Sequence, residues 1–571
     1  MKYSGTVIIR LLSGMLVGLS LVGCSTNQPE STFVDQPAAE SQNENSVGSE
    51  NPPDFIDTTP RTVKQFIPKN GQEAGQHAVL ETLGTGVALL DYDNNGLWDL
   101  CLPGGGKYDN EPKVIGLPSA LFRHEQWEQY ENVTSPSGLQ TDLVYSHAAI
   151  PGDYDNDGFQ DLLFTGYGNI LLFFNNGDGT FDEVSHHAQL VNQAWSTAAA
   201  WGDINRDSVP DLYLVNYLNW SLENNPECYQ AEGRDSCSPT KFSAISDRLF
   251  LGNGDGTFRD ASLEAELVEG GKGLGVAIAD LDLDGDVDLY VTNDTTPNFL
   301  YRNDDQGKLT EIGLQSGTAL SDTAEADGSM GVDVGDLNLD GLPDLWVTNY
   351  EEQSNALYRN MGNNYFEHVS NQFGVAAVGT IYVGFGTLFF DYDCDSDEDI
   401  FVTNGHVMLH ARNSPYKQRP LLLENRDGKQ VINVADTAGD YFKSSHVGRG
   451  VASSDLDNDG DLDLVTTHSN SPAVLLTNQT KQSGNWLRLH LIGVQSNRDA
   501  IGARIKVETA QGMQVRQIKG GTSFLSSSDL RCFLGVGNTS EIKQISILWP
   551  SGTEQILKSI SANQTMTIIE K

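Results

Sequence analysis

Short apolar runs alternate with acidic loops along most of this chain. In the clearest unit, residues 273–279 form an apolar, glycine-containing run before a loop, and residues 289–293 read Leu-Tyr-Val-Thr-Asn after it. The second run recurs almost unchanged at 345–349 and 400–404. Runs of this length, rich in β-branched and aromatic residues, are typical of strands. The pattern predicts a repeating unit of strand, acidic loop and strand.

The acidic loop has nine residues and occurs seven times. A carboxylate or amide stands at positions 1, 3 and 5, and an Asp stands at position 9. Alternating oxygens around a tight turn suit a hard cation that takes about 6 to 8 oxygens, so we expect Ca²⁺; Mg²⁺ fits less well, because it demands octahedral geometry and keeps its waters. The predicted ligands are Asp91, Asp93, Asn95 and Asp99; Asp153, Asp155, Asp157 and Asp161; Asp203, Asn205, Asp207 and Asp211; Asp280, Asp282, Asp284 and Asp288; Asp336, Asn338, Asp340 and Asp344; Asp391, Asp393, Asp395 and Asp399; and Asp455, Asp457, Asp459 and Asp463.

The seven loops, which we number in chain order, differ in quality. Loop three has Ser208 where a turn glycine is expected and carries Arg206, so we expect it to bind Ca²⁺ most weakly. Loop six has Ser396 at the glycine position but adds the carboxylate of Asp397. Loops one and five each replace one carboxylate by Asn. Affinity follows ligand charge and rigidity, so loops two, four and seven should fill first.

The spacing of the loops predicts the architecture. They recur on average about every 61 residues, enough for four short strands, and a four-stranded repeat is typical of a β-propeller blade. Fourth-strand patterns follow the first six loops, for example at 181–185, 258–262 and 366–370, but no clear one follows the seventh. Residues 55–59 have the same residue order. We hypothesise that they complete the seventh blade and close the ring.

The C-terminal residues predict a second, smaller β domain. Residues 487–492, 503–508 and 542–549 alternate or run apolar over strand lengths, which indicates a small β-sandwich packed on the propeller. A polar cluster of Asn497, Arg498, Asp499 and Arg504 extends from the segment after the first run into the start of the second. It could bind a ligand, or its arginines could form ion pairs with the acidic propeller; the second interpretation is favoured.

The N-terminus has the features of an export signal. Lys2 and Arg10 precede the apolar residues 11–22, which are too few for a stable membrane span. The residues that end in Cys24 resemble a bacterial lipobox, which implies cleavage after residue 23 and lipidation of Cys24. Residues 24–53 look like a disordered tether. Ser25 follows where inner-membrane retention signals usually carry Asp, so the resemblance implies the outer membrane of a Gram-negative cell.

Charge and cysteine content agree with export. The formal net charge is −43, which excludes nucleic acid as a reasonable partner and makes the empty loops self-repelling. We therefore expect stability to depend on calcium. Cys228 and Cys237 lie in an insertion between blades three and four, and their spacing predicts a disulfide. Cys101, Cys394 and Cys532 have no evident partners.

Two groups of motifs resemble known families. The loop at 153–161, followed by Asn-Gly-Asp-Gly-Thr-Phe at 176–181, resembles FG-GAP or VCBS repeats of integrin-α-like propellers. Asn-Arg-Asp-Ala-Ile-Gly-Ala-Arg at 497–504 and Trp-Pro-Ser-Gly at 549–552 resemble the ASPIC/UnbV domain. Together they define the family that includes cartilage acidic protein. The resemblance implies an all-β chain, with a seven-bladed propeller over 54–478 and an ASPIC/UnbV-like β domain over 479–571.

No catalytic constellation is visible. The 11 histidines are scattered, and no nucleophile elbow, phosphate loop or zinc spacing occurs. His406 and His410 are conceivable as a metal pair, but a third ligand is missing. We therefore expect a monomeric, non-enzymatic, calcium-binding envelope lipoprotein that recognises a protein or glycan. The alternatives are an enzyme or enzyme subunit acting on envelope polysaccharide or a secondary metabolite, and a structural scaffold.

Overall fold

The computed structural model describes residues 52–110, 113–126, 128–140, 142–304, 307–481, 484–509 and 512–571. The predicted signal peptide, the Cys24 lipidation site and the tether up to residue 51 lie outside the described residues. Within these ranges no helix is long and apolar enough to cross a membrane.

Seven four-stranded antiparallel sheets follow one another along the chain. Each begins with the strand that enters an acidic loop and continues with the strand that leaves it, so the loops join the first two strands as predicted. We call the sheets blades one to seven. In the order first, second, third and outer strand, they are Ala88–Leu90, Asp99–Leu102, Ala120–Gln126 and Gln129–Asn132; Tyr145–Gly152, Asp161–Tyr167, Leu171–Asn175 and Phe181–Glu183; Ser196–Gly202, Asp211–Asn216, Arg248–Gly252 and Phe258–Asp260; Gly273–Ala279, Asp288–Asn293, Phe299–Asn303 and Leu309–Glu311; Val332–Gly335, Asp344–Val347, Ala356–Asn360 and Phe366–His368; Gly384–Phe390, Asp399–Asn404, Leu421–Arg426 and Gln430–Asn433; and Gly448–Ser454, Asp463–His468, Ser471–Asn478 and Phe55–Asp57.

The first strands of the blades form the inner wall of a closed ring. Each contacts the first strand of the next blade, and the first strand of blade seven contacts that of blade one. Apolar side chains of neighbouring blades pack between the sheets, as Leu89 and Leu100 of blade one do with Ala452 and Val465 of blade seven. The prediction of an all-β propeller is confirmed.

The ring closes through the N-terminal strand. Phe55–Asp57 pairs antiparallel with Ser471–Asn478, with Phe55 opposite Asn478. The Phe55 side chain is buried and packs against Phe442, with ring centroids 5.7 Å apart. This pairing confirms the hypothesis that residues near Phe55 supply the missing outer strand.

The C-terminal domain consists of two sheets around an apolar core. Leu487, Leu489, Ile505 and Ile545 are fully buried members of that core and come from both sheets. One sheet contains Cys532–Gly537, Asn485–Ile492 and Gln564–Ile569, and the other contains Met513–Gln517, Arg504–Glu508, Glu541–Leu548 and Glu554–Ser561.

Smaller elements lie in the connections between strands and between blades. A three-stranded sheet contains Lys69–Asn70, Gly105–Tyr108 and Val114–Gly116, and a hairpin contains Cys228–Gln230 and Gly233–Asp235. The helices are one turn long: the α-helices are Arg61–Lys64, Leu80–Leu83, Gly313–Ser316, Ala376–Gly379 and Asp440–Lys443, and the 3₁₀ helices are Gln72–Ala74, Leu222–Asn224 and Pro239–Lys241.

A loop of the C-terminal domain, residues 520–528, fills the centre of the ring; we call it the central plug. Its backbone exchanges hydrogen bonds with first strands of blades four and five, including Gly520 N to Ile278 O at 3.0 Å and Ser523 N to Val332 O at 2.7 Å. Ser527 N donates to Val87 O, at the start of blade one, at 2.9 Å. At blade seven, Ser523 Oγ donates to Val451 O of the first strand at 2.9 Å.

The tip of the central plug is apolar. Phe524 is 0% exposed, and its ring centroid lies 4.9 Å from that of Phe385 in the first strand of blade six. The neighbouring Leu525 is also buried. The plug therefore joins the two domains through a shared core as well as through backbone hydrogen bonds.

Candidate metal centres

Each acidic loop folds around the Asp at its first position. In loop two, Asp153 Oδ1 accepts the N–H of Asp157 at 2.9 Å, and Oδ2 accepts the N–H of Gly158 at 2.8 Å. The residue at position 6 has a left-handed backbone, with φ of 97° at Gly158. Ser208 and Ser396 adopt the same conformation, at φ of 72° and 97°, although a side chain disfavours it.

The Asp at position 9 attaches its loop to the third strand of the same blade. Asp161 Oδ2 accepts Tyr154 N at 3.3 Å, and Oδ1 accepts Asn175 N at 2.7 Å. The residue is 1% exposed. The same two bonds, to position 2 and to the third strand, occur at Asp99, Asp211, Asp288, Asp344, Asp399 and Asp463.

A third-strand asparagine links neighbouring blades and is not among the residues that the sequence singled out. Asn303 Nδ2 donates to Ile204 O in the preceding blade's loop at 2.7 Å. The corresponding donors and acceptors are Asn175 to Tyr92, Asn360 to Leu281, Asn425 to Leu337 and Asn478 to Tyr392. Blades one and three have His124 and Gly252 at this position. The Asn that recurs at the end of the third strand is the sequence signal from which this contact could have been predicted.

Carboxylates gather in five of the seven loops. In each, three side chains offer oxygens that all lie within 4.8 Å of one another, which matches the span across an ion with ligands at about 2.4 Å. The groups are Asp91, Asp93 and Asp99; Asp153, Asp155 and Asp161; Asp280, Asp282 and Asp288; Asp391, Asp393 and Asp399; and Asp455, Asp457 and Asp459. These Asp-rich groups could hold a metal ion.

Loops three and five do not bring three carboxylates together within the described ranges. Both have Asn at position 3, whose amide donates to the position-5 carboxylate: Asn205 Nδ2 lies 2.9 Å from Asp207 Oδ2, and Asn338 Nδ2 lies 2.9 Å from Asp340 Oδ2. Arg206 extends away from its own loop, and its Nη1 lies 2.6 Å from Asp286 Oδ1 in loop four.

The loop carboxylates are destabilised as anions in the absence of a cation. Burial, followed by repulsion from Asp499, raises the pKa of Asp153 to about 7, and burial raises the pKa of Asp161 to about 9. Burial also raises the pKa of Asp280 to about 7. Its Oδ1 is buried and has no hydrogen-bond donor among the described residues. An oxygen of this kind fits a metal ligand, because a divalent cation would supply the missing interaction.

The C-terminal domain rests on the loops. Arg488 Nη1 lies 2.8 Å from Asp455 Oδ2 of loop seven, and Arg504 Nη1 lies 3.3 Å from Asp280 Oδ2 of loop four. At loop two, Asp499 Oδ2 accepts Asp153 N at 3.0 Å. Further contacts reach loops one, two, three and six: Arg531 lies over Trp98, Arg498 N donates to Asn156 Oδ1, Ser208 Oγ donates to Gln495 O, and Gly537 N donates to Cys394 O.

The sequence left two interpretations of the C-terminal polar cluster: ligand binding, or ion pairs with the propeller. Arg504 forms such an ion pair, with Asp280 of loop four. Arg498 instead contacts loop two through its backbone. The domain covers the face of the ring that carries the acidic loops, which we call the loop face. The central plug fills the middle of that face.

The insertions gather on the other side of the ring, which we call the insertion face. Cys228 and Cys237 form the predicted disulfide. The insertion that carries them lies within blade three, between its second and third strands, so its predicted position between blades three and four is wrong. Asp235 of the hairpin in this insertion accepts the backbone N–H groups of Leu409 and His410, from the insertion after the second strand of blade six, at 3.2 and 2.8 Å. The hairpin therefore connects two distant blades.

His406 and His410 each contact a different glutamate. His406 Nε2 lies 3.2 Å from Glu351 Oε1, and its Nδ1 accepts Met408 N at 2.8 Å. His410 Nδ1 lies 3.5 Å from Glu232 Oε2. Neither histidine belongs to a three-ligand group within the part of the chain that the structure describes.

Comparison with protein families identifies both parts of the chain. A model described as FG-GAP-like repeat matches residues 153–214, 242–291, 280–347 and 336–402, and a model described as ASPIC and UnbV matches residues 493–571. The chain therefore contains FG-GAP-like repeats followed by a C-terminal ASPIC and UnbV domain.

Among individual proteins, the chain is similar to cartilage acidic protein 1. It is 24% identical to the Homo sapiens protein over 510 residues, covering 86% of this chain and 72% of the relative, and 23% identical to the Xenopus tropicalis protein, covering 86% and 73%. A solved structure titled "YCF48 bound to D1 peptide" matches with a TM-score of 0.39 and 7% identity, over 75% of this chain and 94% of that chain.

Proposed function

We propose that this protein is a calcium-stabilised recognition module that binds a protein or glycan on its insertion face. The observation that carries the proposal is the position of the C-terminal domain. It covers the loop face, and its central plug fills the ring. Neither the loop face nor the centre of the ring therefore offers a large surface to a partner. The insertion face carries the long, irregular segments in which recognition residues are commonly found.

Calcium is the ion that best fits the acidic loops. The ligands are hard oxygens, they alternate along a tight turn, and five groups already have oxygens within 4.8 Å of one another. Up to seven ions would bind, with loop three the weakest. The guanidinium groups of Arg504 and Arg488 contact Asp280 and Asp455 and lower the local negative charge. Loops four and seven should therefore bind the ion less tightly than their sequences predict.

The ion's role in this proposal is structural. Each loop connects the first two strands of a blade and contacts, in most blades, the C-terminal domain. A bound cation would remove the repulsion among buried carboxylates and hold the loop in the conformation that the domain contacts. The proposed setting is the cell envelope, with an N-terminal lipid on Cys24 anchoring a monomeric protein at the outer membrane.

A pull-down tests the proposal. The protein is applied to a glycan array and, separately, incubated with a bacterial envelope extract. Each experiment is done in the presence of Ca²⁺ and again after chelation. Saturable, calcium-dependent retention of one glycan or protein is expected. Chemical turnover of a glycan would instead favour an enzyme, and absence of both retention and turnover would favour a scaffold.

Variants of the two faces sharpen that experiment. Lys417→Gln changes the insertion face, and Lys558→Gln changes an exposed strand of the C-terminal domain. Both remove one positive charge. The proposal requires that retention is more sensitive to substitutions on the insertion face; loss of retention only with substitutions in the C-terminal domain would contradict it.

A further inference from the structure

A groove of about 460 Å³ lies at blade seven on the insertion face, and we call it the blade-seven groove. Its volume lies in the range of sites for small organic ligands. Four separate parts of the chain form it: the N-terminal segment, the insertion of blade six, the entry to blade seven and the turn after the second strand of blade seven. The lining residues are Lys64, Gln72, Tyr416, Lys417, 445–447 and 468–474.

The lining is positive in a strongly negative protein. It contains Lys64 and Lys417 and no Asp or Glu, although the chain as a whole has 78 acidic and 35 basic residues. Lys64 Nζ lies 3.3 Å from Asp57 Oδ1, outside the lining. The Lys417 side chain is exposed, and its ammonium group has no hydrogen bond or ion pair with the described residues. One lysine is therefore available to an anion.

A second positive charge lies behind the groove. Arg449 is 1% exposed and follows Val447, a lining residue, by two positions. Its guanidinium donates to backbone carbonyls only, including Thr82 O at 2.7 Å and Gly448 O at 2.7 Å, and to no carboxylate within the described ranges. A buried cation without a counter-ion projects a positive potential through its low-dielectric surroundings.

The groove also offers neutral hydrogen-bonding groups and ring faces. Ser445 and Ser471 are exposed, and Asn470 and Gln72 are hydrogen-bonded to each other at 3.2 Å. The His446 ring stacks on Tyr441 with centroids 4.4 Å apart, and Tyr416 forms another part of the lining. His446 Nε2 lies 3.1 Å from Tyr441 O and donates to it, so Nδ1 can accept a hydrogen bond when the ring is neutral.

This combination distinguishes between kinds of anion. An inorganic ion needs donors alone, whereas the groove adds hydroxyls, amides, an acceptor nitrogen and ring faces. A sugar carrying a carboxylate would use all of them: its carboxylate would meet Lys417, its hydroxyls the serines and amides, and its apolar ring face the aromatic rings.

We propose that the blade-seven groove binds a hexuronate, a sugar residue with a carboxylate group, either free or at the end of a glycan. The site rests on the proposed function, because it names the ligand class and the part of the insertion face that binds it.

Calorimetric titration of the full chain in Ca²⁺ tests this assignment. The probes are galacturonate, glucuronate, their neutral parents galactose and glucose, inorganic phosphate and a galacturonate trimer. Wild type should bind a hexuronate saturably and should bind neither the neutral sugars nor phosphate comparably. Tighter binding of the trimer would indicate a glycan end as the source, and equal binding would indicate the free sugar.

Three variants locate the site. Lys417→Gln should weaken hexuronate binding about tenfold or more, which corresponds to about 1.4 kcal/mol. Lys417→Arg should retain binding, because the charge remains. Lys443→Gln is the matched control, since that lysine is exposed and lies outside the lining, and it should leave binding within about twofold. Melting temperatures establish that each variant is folded.

Three results would overturn the site: no hexuronate binding by wild type, equal binding of galactose and galacturonate, or unchanged affinity in folded Lys417→Gln. If one of these occurs while the protein still retains an envelope ligand in the pull-down, the hexuronate site is wrong and the recognition function stands. If retention also fails, both proposals are contradicted.

Discussion

At the scale of single residues, the acidic loops contain two kinds of carboxylate. The Asp at position 1 organises the turn, as Asp153 does with the N–H groups of Asp157 and Gly158. The Asp at position 9 connects the loop to the third strand, as Asp161 does with Asn175. A loop without an ion therefore keeps part of its internal hydrogen bonding, and a bound ion would act on a framework that already exists.

The asparagines between blades should stabilise the ring measurably. Asn303→Ala removes the amide that donates to Ile204 O and Val287 O and leaves buried carbonyl oxygens without that donor. The expected loss is about 1–3 kcal/mol of unfolding free energy, measured by chemical denaturation. Asn253→Ala, at an exposed turn, is the control and should change the unfolding free energy by about 0.5 kcal/mol or less. Equal effects of both variants would contradict a role between blades.

His147 should make the fold sensitive to acid. Its Nδ1 lies 2.8 Å from Gly84 O and its Nε2 accepts Trp195 Nε1 at 3.0 Å, so the neutral ring satisfies both partners. Burial lowers the pKa of His147 to about 4. Between that value and the ordinary histidine pKa of about 6.5, the unfolded chain binds more protons, so stability falls as pH falls through this range.

Comparison with His147→Gln isolates this contribution, because glutamine can also donate and accept but does not titrate. Denaturation curves between pH 7 and 4.5 should show a larger loss of unfolding free energy in wild type than in the variant. The loop carboxylates and His468 are common to both proteins and largely cancel. Parallel losses would show that His147 does not contribute.

At the scale of elements, two segments distant in sequence complete the ring. Phe55–Asp57 supplies the outer strand of blade seven, and the central plug fills the middle. The plug also contacts the first strands of several blades, so it connects elements that do not otherwise touch. Removal of its apolar tip should weaken the whole structure rather than the C-terminal domain alone.

Phe524→Ala tests this consequence. The side chain is 0% exposed, and its truncation in a packed core should cost about 3–5 kcal/mol. Scanning calorimetry should show a lower melting temperature for the propeller transition as well as for the C-terminal domain. Leu263→Ala, at a side chain that is 96% exposed, should have little effect. A propeller transition that stays unchanged in Phe524→Ala would contradict the plug's role.

The elements that sequence predicted best are those with local, repeated patterns. Residues 289–293 and their equivalents show the strands directly, and residues 55–59 could be assigned to blade seven because their pattern matched other outer strands. The Asp at position 9 of each loop was predicted as a metal ligand. Its hydrogen bonds to the third strand could not be predicted from the sequence. That role depends on backbone N–H groups, which carry no sequence signature.

Long-range features could not be predicted in the same way. The central plug reads as Gly-Gly-Thr-Ser-Phe-Leu-Ser-Ser-Ser, a polar loop with two apolar residues, and only the fold places Phe524 beside Phe385. The blade-seven groove combines residues from Lys64 to Val474, which no spacing pattern connects. Both depend on the closure of the ring.

At the scale of the whole molecule, the protein has two faces that differ in structure. The loop face carries the acidic loops and receives the C-terminal domain. The insertion face gathers the disulfide hairpin, the blade-six insertion and the blade-seven groove. Under the proposed function, calcium contributes to stability and the insertion face to recognition, so the two can be tested separately.

Calcium should stabilise the folded protein in proportion to the number of sites. When free Ca²⁺ is about ten times the dissociation constant, each site adds about 1.4 kcal/mol to the unfolding free energy. Thermal denaturation of protein in millimolar Ca²⁺ and after chelation should show a clear decrease of melting temperature. Added Mg²⁺ should restore less of it than Ca²⁺ does, because the loops suit a larger and more flexible coordination shell.

Hydrogen exchange with and without a calcium chelator tests the central claim most directly, because it reports each loop and the plug in one experiment. Chelation should speed exchange of the loop N–H groups at positions 5 and 6 and of Ser523 and Ser527 in the central plug. Exchange in the strands far from the loops should change least. Unchanged exchange in the loops and in the plug would contradict the claim that calcium holds the loop face and the C-terminal domain together.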